Sequence, residues 1–156
     1  MNITILSVEK HRTRELVALE EEFIKRLSKY CKVVSTGIKR PKISDTISSS
    51  AVCNAEGEMI LKKVKETDFV VALDSSGTMV DSKTFALQVK YWQQSGKQSI
   101  VFIIGGPHGL AEKVKTRANF VLSLSKLTFS HEIARMLLCE ALYRVFDILQ
   151  GGKYHK

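Results

Sequence analysis

Cysteine is scarce in this chain of 156 residues: Cys31, Cys53 and Cys139 only, an odd number and far apart. No CxxC pair is present and no histidine sits at ligand spacing from a thiol. That excludes a disulfide framework and a zinc site, and it fits a reducing cytoplasm. Long apolar runs are missing too, since none approaches the roughly 18 residues that cross a membrane. The opening MNITILSV, followed by Glu9 and Lys10, is too short and wrongly flanked for a signal peptide. Repeats and low-complexity tails are absent. Acidic residues are in deficit, 16 against 24 basic, which leaves a net charge of +8. An excess of that size points to a polyanionic partner, nucleic acid before membrane. Charge alone leaves open a protein that is merely basic. The expectation is a soluble cytoplasmic protein with a single domain over residues 1–156.

What is present is an alternation of short apolar runs with longer helical patterns. Candidate strands are Ile3–Val8, Lys32–Thr36, Asp68–Asp74, Ser99–Ile104 and Asn119–Leu124. FVVAL and IVFII are apolar without interruption, as strands covered on both faces of a parallel sheet must be. Leu16, Leu19, Phe23, Leu27 and Tyr30 mark one face of a helix from about Thr13 to Tyr30. Two more helices are expected over Ser50–Val64 and Ser82–Ser95, with Trp92 in the core. The order predicts a three-layered α/β fold with a mostly parallel sheet. Gly37–Ser50 (GIKRPKISDTISSS) reads as a basic loop whose role the sequence leaves open.

The last helix is apolar around most of its circumference. Ser130 is its expected N-cap and Gly151 its expected C′ residue. At 100° per residue Glu140, Arg144 and Asp147 share a narrow polar sector, whereas Met136, Leu137, Leu138, Leu142, Val145, Phe146 and Leu149 spread outside it. A helix greasy on nearly all sides is buried from more than one direction. In a small domain this predicts a two-fold homodimer through that helix.

The run Ile100–Ile104 ends in GGPHG, Gly105 to Gly109. It is neither a P-loop, because no Gly-Lys-Ser/Thr follows, nor the dinucleotide fingerprint G-x-G-x-x-G. An NAD-linked oxidoreductase is therefore poorly supported. The turn offers backbone without Cβ atoms at a strand's carboxyl end, where α/β sheets bind ligands. A tight strand-to-helix connection would explain the glycines equally. Two other strand ends carry small or polar residues, Asp74-Ser75-Ser76-Gly77 and the segment Ser125–Ser130, and the three could converge on one pocket.

FIIGGPHGL, the segment LSLSKLTFSH, the closing YHK, EEFIKRLSKYCKV and AEGEMIL at Ala55–Leu61 together resemble the RlmH family. These are small SPOUT-class methyltransferases of large-subunit ribosomal RNA, and the likeness runs over essentially the whole chain. The resemblance implies a trefoil knot in the C-terminal half, a homodimer, S-adenosyl-L-methionine as cofactor and no metal. It implies methylation of N3 of a pseudouridine in ribosomal RNA. Cofactor contacts carry over to Leu73, Gly106 and Ser125, Lys126, Leu127, Thr128, Phe129 and Ser130, with Gly105 added because it shares the turn. The turn at Asp74–Gly77 is less charged than in many family members, and Gly37–Ser50 matches no family pattern.

Pseudouridine N3 carries a proton that must leave, and Tyr154 and His155 are candidates to take it or to order the RNA. Arg144 is a candidate for contact with the target base or a phosphate. Arg135 and Lys153 are candidates for RNA binding, with a salt bridge to Glu132, Glu140 or Asp147 as the structural alternative for the arginines. His131 and His108 read as a first-turn and a turn residue. The large ribosomal subunit or the whole ribosome is the expected partner, because a small domain reads assembled shape as much as sequence. A ribosome-associated binding factor with a vestigial pocket is the alternative of a different class.

Overall fold

The computed structural model describes residues 1–9, 12–40 and 48–155. Strands and helices alternate: β1 (Asn2–Glu9), α1 (Arg14–Leu27), β2 (Lys32–Lys39), α2 (Ser49–Leu61), β3 (Phe69–Met79), α3 (Ser82–Gln94), β4 (Ser99–Ile104), α4 (Glu112–Arg117), β5 (Phe120–Ser123) and α5 (His131–Leu149). The strands form one sheet in the order β2-β1-β4-β3-β5, with every pairing parallel. Parallel neighbours need crossovers, and these place α1, α3 and α5 on one face and α2 and α4 on the other. Ile100, Phe102 and Ile104 point into the first core, Val101 and Ile103 into the second. That two-sided burial is why IVFII has no polar alternation.

Trp92 lies in the core, its ring 4.9 Å from that of Phe69 and 5.7 Å from that of Phe120. Ser130 caps α5 by accepting from the Ile133 N–H at 3.4 Å, and Gly151 follows the helix with φ +66°. Helix α1 turns Phe23 and Leu27 of its expected apolar face to the core, and Tyr30 just beyond it does the same, with one departure. Leu19 is exposed while Glu20 is buried, because Glu20 meets an arginine of α5.

Three further departures from the sequence reading have local causes. Strand β3 does not end at Asp74. Leu122 pairs first with Leu73 and again with Thr78, so residues 74–77 bulge out and the strand resumes beside β5. Gly77 permits this close return, since a Cβ there would stand 2.6 Å from the Val121 carbonyl oxygen. Helix α4 has six residues and a single buried side chain, Val114, too short for a periodic signal. Of the expected basic loop, residues 37–39 belong to β2 and 49–50 to α2, while 41–47 lie outside the described residues.

Much of the apolar circumference of α5 is accounted for within one protomer. The helix packs beside α1 and α3, and Leu138, Cys139, Leu142, Val145 and Phe146 are fully buried. Its outward side carries Ile133, Met136 and Leu137, only partly buried, near the N-terminal end and Glu140 and Arg144 farther along.

Candidate functional site

The carboxyl ends of β3, β4 and β5 open into one cavity of about 450 Å³. Leu73, Asp74 and Ser75 come from β3; Ile104 ends β4, and Gly105 to Pro107 and Gly109 follow it. Leu122, Leu124, Ser125 and Leu127 to Ser130 belong to β5 and the loop after it, and His131 and Ala134 close the cavity from α5. Of the nine residues expected to bind a cofactor, eight line it: Leu73, Gly105, Gly106, Ser125, Leu127, Thr128, Phe129 and Ser130. Lys126 is turned aside and donates from Nζ to the Ser75 carbonyl at 3.2 Å.

The glycine turn is built by sequence-local rules. The Gly109 N–H donates to the Gly106 carbonyl at 3.0 Å, which makes Gly106-Pro107-His108-Gly109 a β-turn with proline at its second position. Gly109 has φ +80°, a conformation that glycine adopts without a steric cost. Gly105 is required by proximity, since a Cβ there would stand 2.5 Å from the Gly109 carbonyl oxygen. From below, α2 supports the turn. Cys53 Sγ lies 3.3 Å from the Gly109 carbonyl oxygen, and Gly57 lets Ala111 approach, as its own Cβ would stand 2.8 Å from that of Ala111. A Cβ on Gly106 would meet Glu56 Oε2 at 2.7 Å.

The opposite wall is tied together by polar contacts. Ser123 Oγ bonds to the Ser75 and Ser125 carbonyls at 3.3 and 2.9 Å, and the Leu127 N–H donates to Ser125 Oγ at 3.0 Å. Burial pushes the Asp74 carboxyl up, but hydrogen bonds from Ser76 Oγ and N–H outweigh it and hold the group below its ordinary 3.8. Leu127 is 72% exposed and Phe129 40%, so two large apolar side chains stand uncovered at the mouth. A cavity of this size, apolar with a few polar groups and glycine backbone, suits a flat heterocycle with a polar tail.

The residues expected to act on the substrate lie elsewhere in the protomer. Arg144 pairs with Glu140, and its guanidinium stacks 4.7 Å from the centre of the Tyr154 ring. Tyr154 Oη donates to Glu140 Oε1 at 3.0 Å, and the Tyr154 N–H to Asp147 Oδ2 at 2.9 Å. Burial, then the bond to Glu140, raises the Tyr154 hydroxyl above its ordinary 10.0, so it remains protonated at neutral pH. Among the described residues His155 Nδ1, buried, has no hydrogen-bond partner, and Lys153 is exposed. Arg144 is 13 residues along α5 from His131, a separation of about 20 Å at 1.5 Å per residue. Chain end and cavity thus sit at opposite ends of one helix.

Arg135 corrects the sequence reading. Its side chain is 1% exposed, Nε donating to Glu20 Oε2 at 2.7 Å and Nη1 to Ser7 Oγ at 2.8 Å and to Glu9. It reaches no phosphate from there, and its partners lie on β1 and α1 rather than on its own helix. Only Glu20 of these sits on α1, where a spacing that turned Leu19 inward concealed it. Sequence reasoning also did not single out Glu56 as a residue of the site, although AEGE placed it in a recognisable segment. Among the described residues no group of three or more His, Cys, Asp or Glu side chains could hold a metal ion, and no helix is long and apolar enough to cross a membrane.

Comparison with known proteins agrees with this geometry. The family model described as "Predicted SPOUT methyltransferase" matches residues 1–155. A protein of Clostridium botulinum named ribosomal RNA large subunit methyltransferase H is 42% identical over 159 aligned positions, with all of both chains covered. One of the same name from Clostridium kluyveri is also 42% identical over full length. Among solved structures, a probable methylase family protein from Haemophilus influenzae has a TM-score of 0.57 at 16% identity, over 99% of this chain and 70% of its own. A probable methyltransferase from Bordetella pertussis has 0.53 at 12%, over 92% and 95%. The five-stranded parallel sheet, the cavity at its carboxyl edge and the match along the whole chain lead to one conclusion: this protein belongs to the SPOUT methyltransferase family.

Proposed function

We propose that this protein is an S-adenosyl-L-methionine-dependent methyltransferase that modifies N3 of a pseudouridine in large-subunit ribosomal RNA, on the assembled subunit or ribosome. The observation that carries the reading is the convergence of three strand-end loops on one cavity in a chain that aligns end to end with proteins named for that reaction class. When bound, S-adenosyl-L-methionine supplies a methyl group already activated on a sulfonium. Leu73, Leu122 and the exposed Leu127 and Phe129 give apolar surface for an adenine ring. Backbone groups of Ser125–Ser130 are placed to read its edge, and Gly105 and Gly106 admit close approach. The chain's own part is to hold donor and base in line and to keep water out.

The target proton needs an acceptor, and among the described residues the cavity wall offers His131 and Asp74 but no tail residue. We assign Tyr154, His155 and Arg144 to the pocket of a partner subunit. A two-fold pairing that runs two α5 helices antiparallel brings the chain end of each to the amino-terminal end of the other, where the cavity lies. Partly buried Ile133, Met136 and Leu137 supply its apolar contact. In that arrangement Arg144 and Lys153 face the RNA, and His155 takes the proton or orders the base. The trefoil knot of the family is part of the proposal, resting on the family match along residues 1–155. The +8 charge suits the polyanionic substrate and a location in the cytoplasm beside ribosomes.

The test is mass spectrometry of ribosomal RNA from a deletion strain, before and after incubation of its large subunits and 70S ribosomes with purified protein and S-adenosyl-L-methionine. Gain of one methyl group on a pseudouridine is expected. Unchanged RNA after incubation would contradict the assignment.

A further inference from the structure

Directly behind the glycine turn lies a buried charge that the site has not used. Glu56 is 2% exposed, and among the described residues only one of its carboxylate oxygens is answered: Oε1 accepts from Arg40 Nε at 3.0 Å. Oε2, also buried, has no hydrogen-bond partner among them. A buried carboxylate oxygen without a donor is costly, so its presence calls for an explanation. The carboxylate lies against Gly106, where a Cβ would stand 2.7 Å from Oε2 and 3.0 Å from Oε1. Gly106 forms the wall of the cavity on its other side. A single glycine residue therefore separates an incompletely paired anion from the space where the donor is placed.

We infer that Glu56 is a charge-reading residue that favours the cationic methyl donor over its neutral product through the Gly106 backbone. The inference rests on the donor reading of the cavity given above. Methyl transfer turns a sulfonium into a neutral thioether, and the two molecules otherwise share every group. A fixed anion in a water-poor setting discriminates between them by charge alone. Glycine at 106 keeps that anion near, whereas any side chain would displace it. Arg40 holds the carboxylate in place as its counter-charge, being itself only partly buried at the end of β2. Glu56 touches no reacting atom, so its part is one of positioning and specificity. Its loss removes attraction from the bound ground state, where the sulfur charge is full, more than from a transition state in which that charge is leaving sulfur. The Michaelis constant for the donor then rises and the turnover number does not fall in proportion.

Calorimetry on the full-length protein tests this with S-adenosylmethionine and S-adenosylhomocysteine as paired ligands. Glu56→Gln keeps shape and volume and should lower the preference for the sulfonium over the thioether by about fivefold, a modest electrostatic effect across one residue. Arg40→Met carries the test independently, including where Glu56→Gln fails to fold, because it strips the buried carboxylate of its counter-charge, which favours the neutral acid, and should lower the same preference. Equal weakening of both ligands in Glu56→Gln, or a preference that does not move in either variant, overturns the inference and leaves Glu56 as a prop for the turn. If the unaltered protein binds neither ligand, the donor reading itself falls and this inference with it.

Discussion

Replacing Arg135 by methionine separates a structural role from an RNA contact. The guanidinium is the hub of a buried network that joins three elements: Glu20 on α1, Ser7 and Glu9 on β1, and α5 itself. Glu20 is 2% exposed and would keep Arg12 Nη2 at 3.0 Å and Ser35 Oγ at 2.5 Å, so its charge is not left wholly alone. Removing one partner of a buried ion pair typically costs about 3–5 kcal/mol. With Arg12 retained, the lower end applies, about 3 kcal/mol. At a urea dependence of about 2 kcal/mol per molar, the unfolding midpoint falls by about 1.5 M. Glu20→Gln added to Arg135→Met should recover part of that loss, since the second change removes the charge that the first exposed. Urea unfolding followed by circular dichroism reads the stability, and co-sedimentation with large ribosomal subunits below the transition reads the affinity. A loss under 1 kcal/mol together with an affinity drop of tenfold or more would refute the reasoning and return Arg135 to the RNA surface.

Three more outcomes follow from the same geometry. Gly105→Ala places a Cβ 2.5 Å from a backbone oxygen that cannot swing aside, so calorimetry should show donor affinity falling by a factor of about thirty with the proposed dimer unaffected on sedimentation; affinity within threefold of wild type would count against the turn as the donor wall. Burial pushes the Cys31 thiol up to about 11 and the Cys139 thiol to about 12, from an ordinary 9.0. The unfolded chain therefore releases these protons first, and stability is full below pH 9 and is lost as pH rises from there toward 11 and 12. Unfolding free energies from urea titrations at pH 8 and pH 10 should differ by about 1 kcal/mol for each thiol, and Cys139→Ala should flatten its share of that slope. Mixing Gly105→Ala protein with a Tyr154→Phe, His155→Ala variant should restore about a quarter of wild-type methylation if half the dimers are mixed and one of two sites is whole, whereas no recovery would place the tail in its own pocket.

Sequence patterning revealed the architecture where a strand is buried on both faces, as in IVFII, and where a helix carries its own stop signals, as with Ser130 and Gly151. It also located the wall of the cavity, because glycine, proline and serine at strand ends leave a local signature. It missed what depends on distant partners. Leu19 and Glu20 exchange places because Arg135, 115 positions away from Glu20, satisfies a carboxylate that the pattern alone would put in water. The resumption of β3 after Asp74 depends on Val121 backbone lying against Gly77, which no local rule contains. The apolar circumference of α5 looked like evidence for a second subunit, yet α1 and α3 cover most of it, and only its outward strip is left for a partner.

The most direct test is a crystal structure grown with S-adenosylhomocysteine. The account predicts ligand density between the Gly105–Gly106 turn and the Ser125–Ser130 loop, with the adenine against Leu73 and Leu127 and Phe129 folded down over it. Ligand bound on another edge of the sheet, or a cavity still empty at saturating concentration, would contradict it.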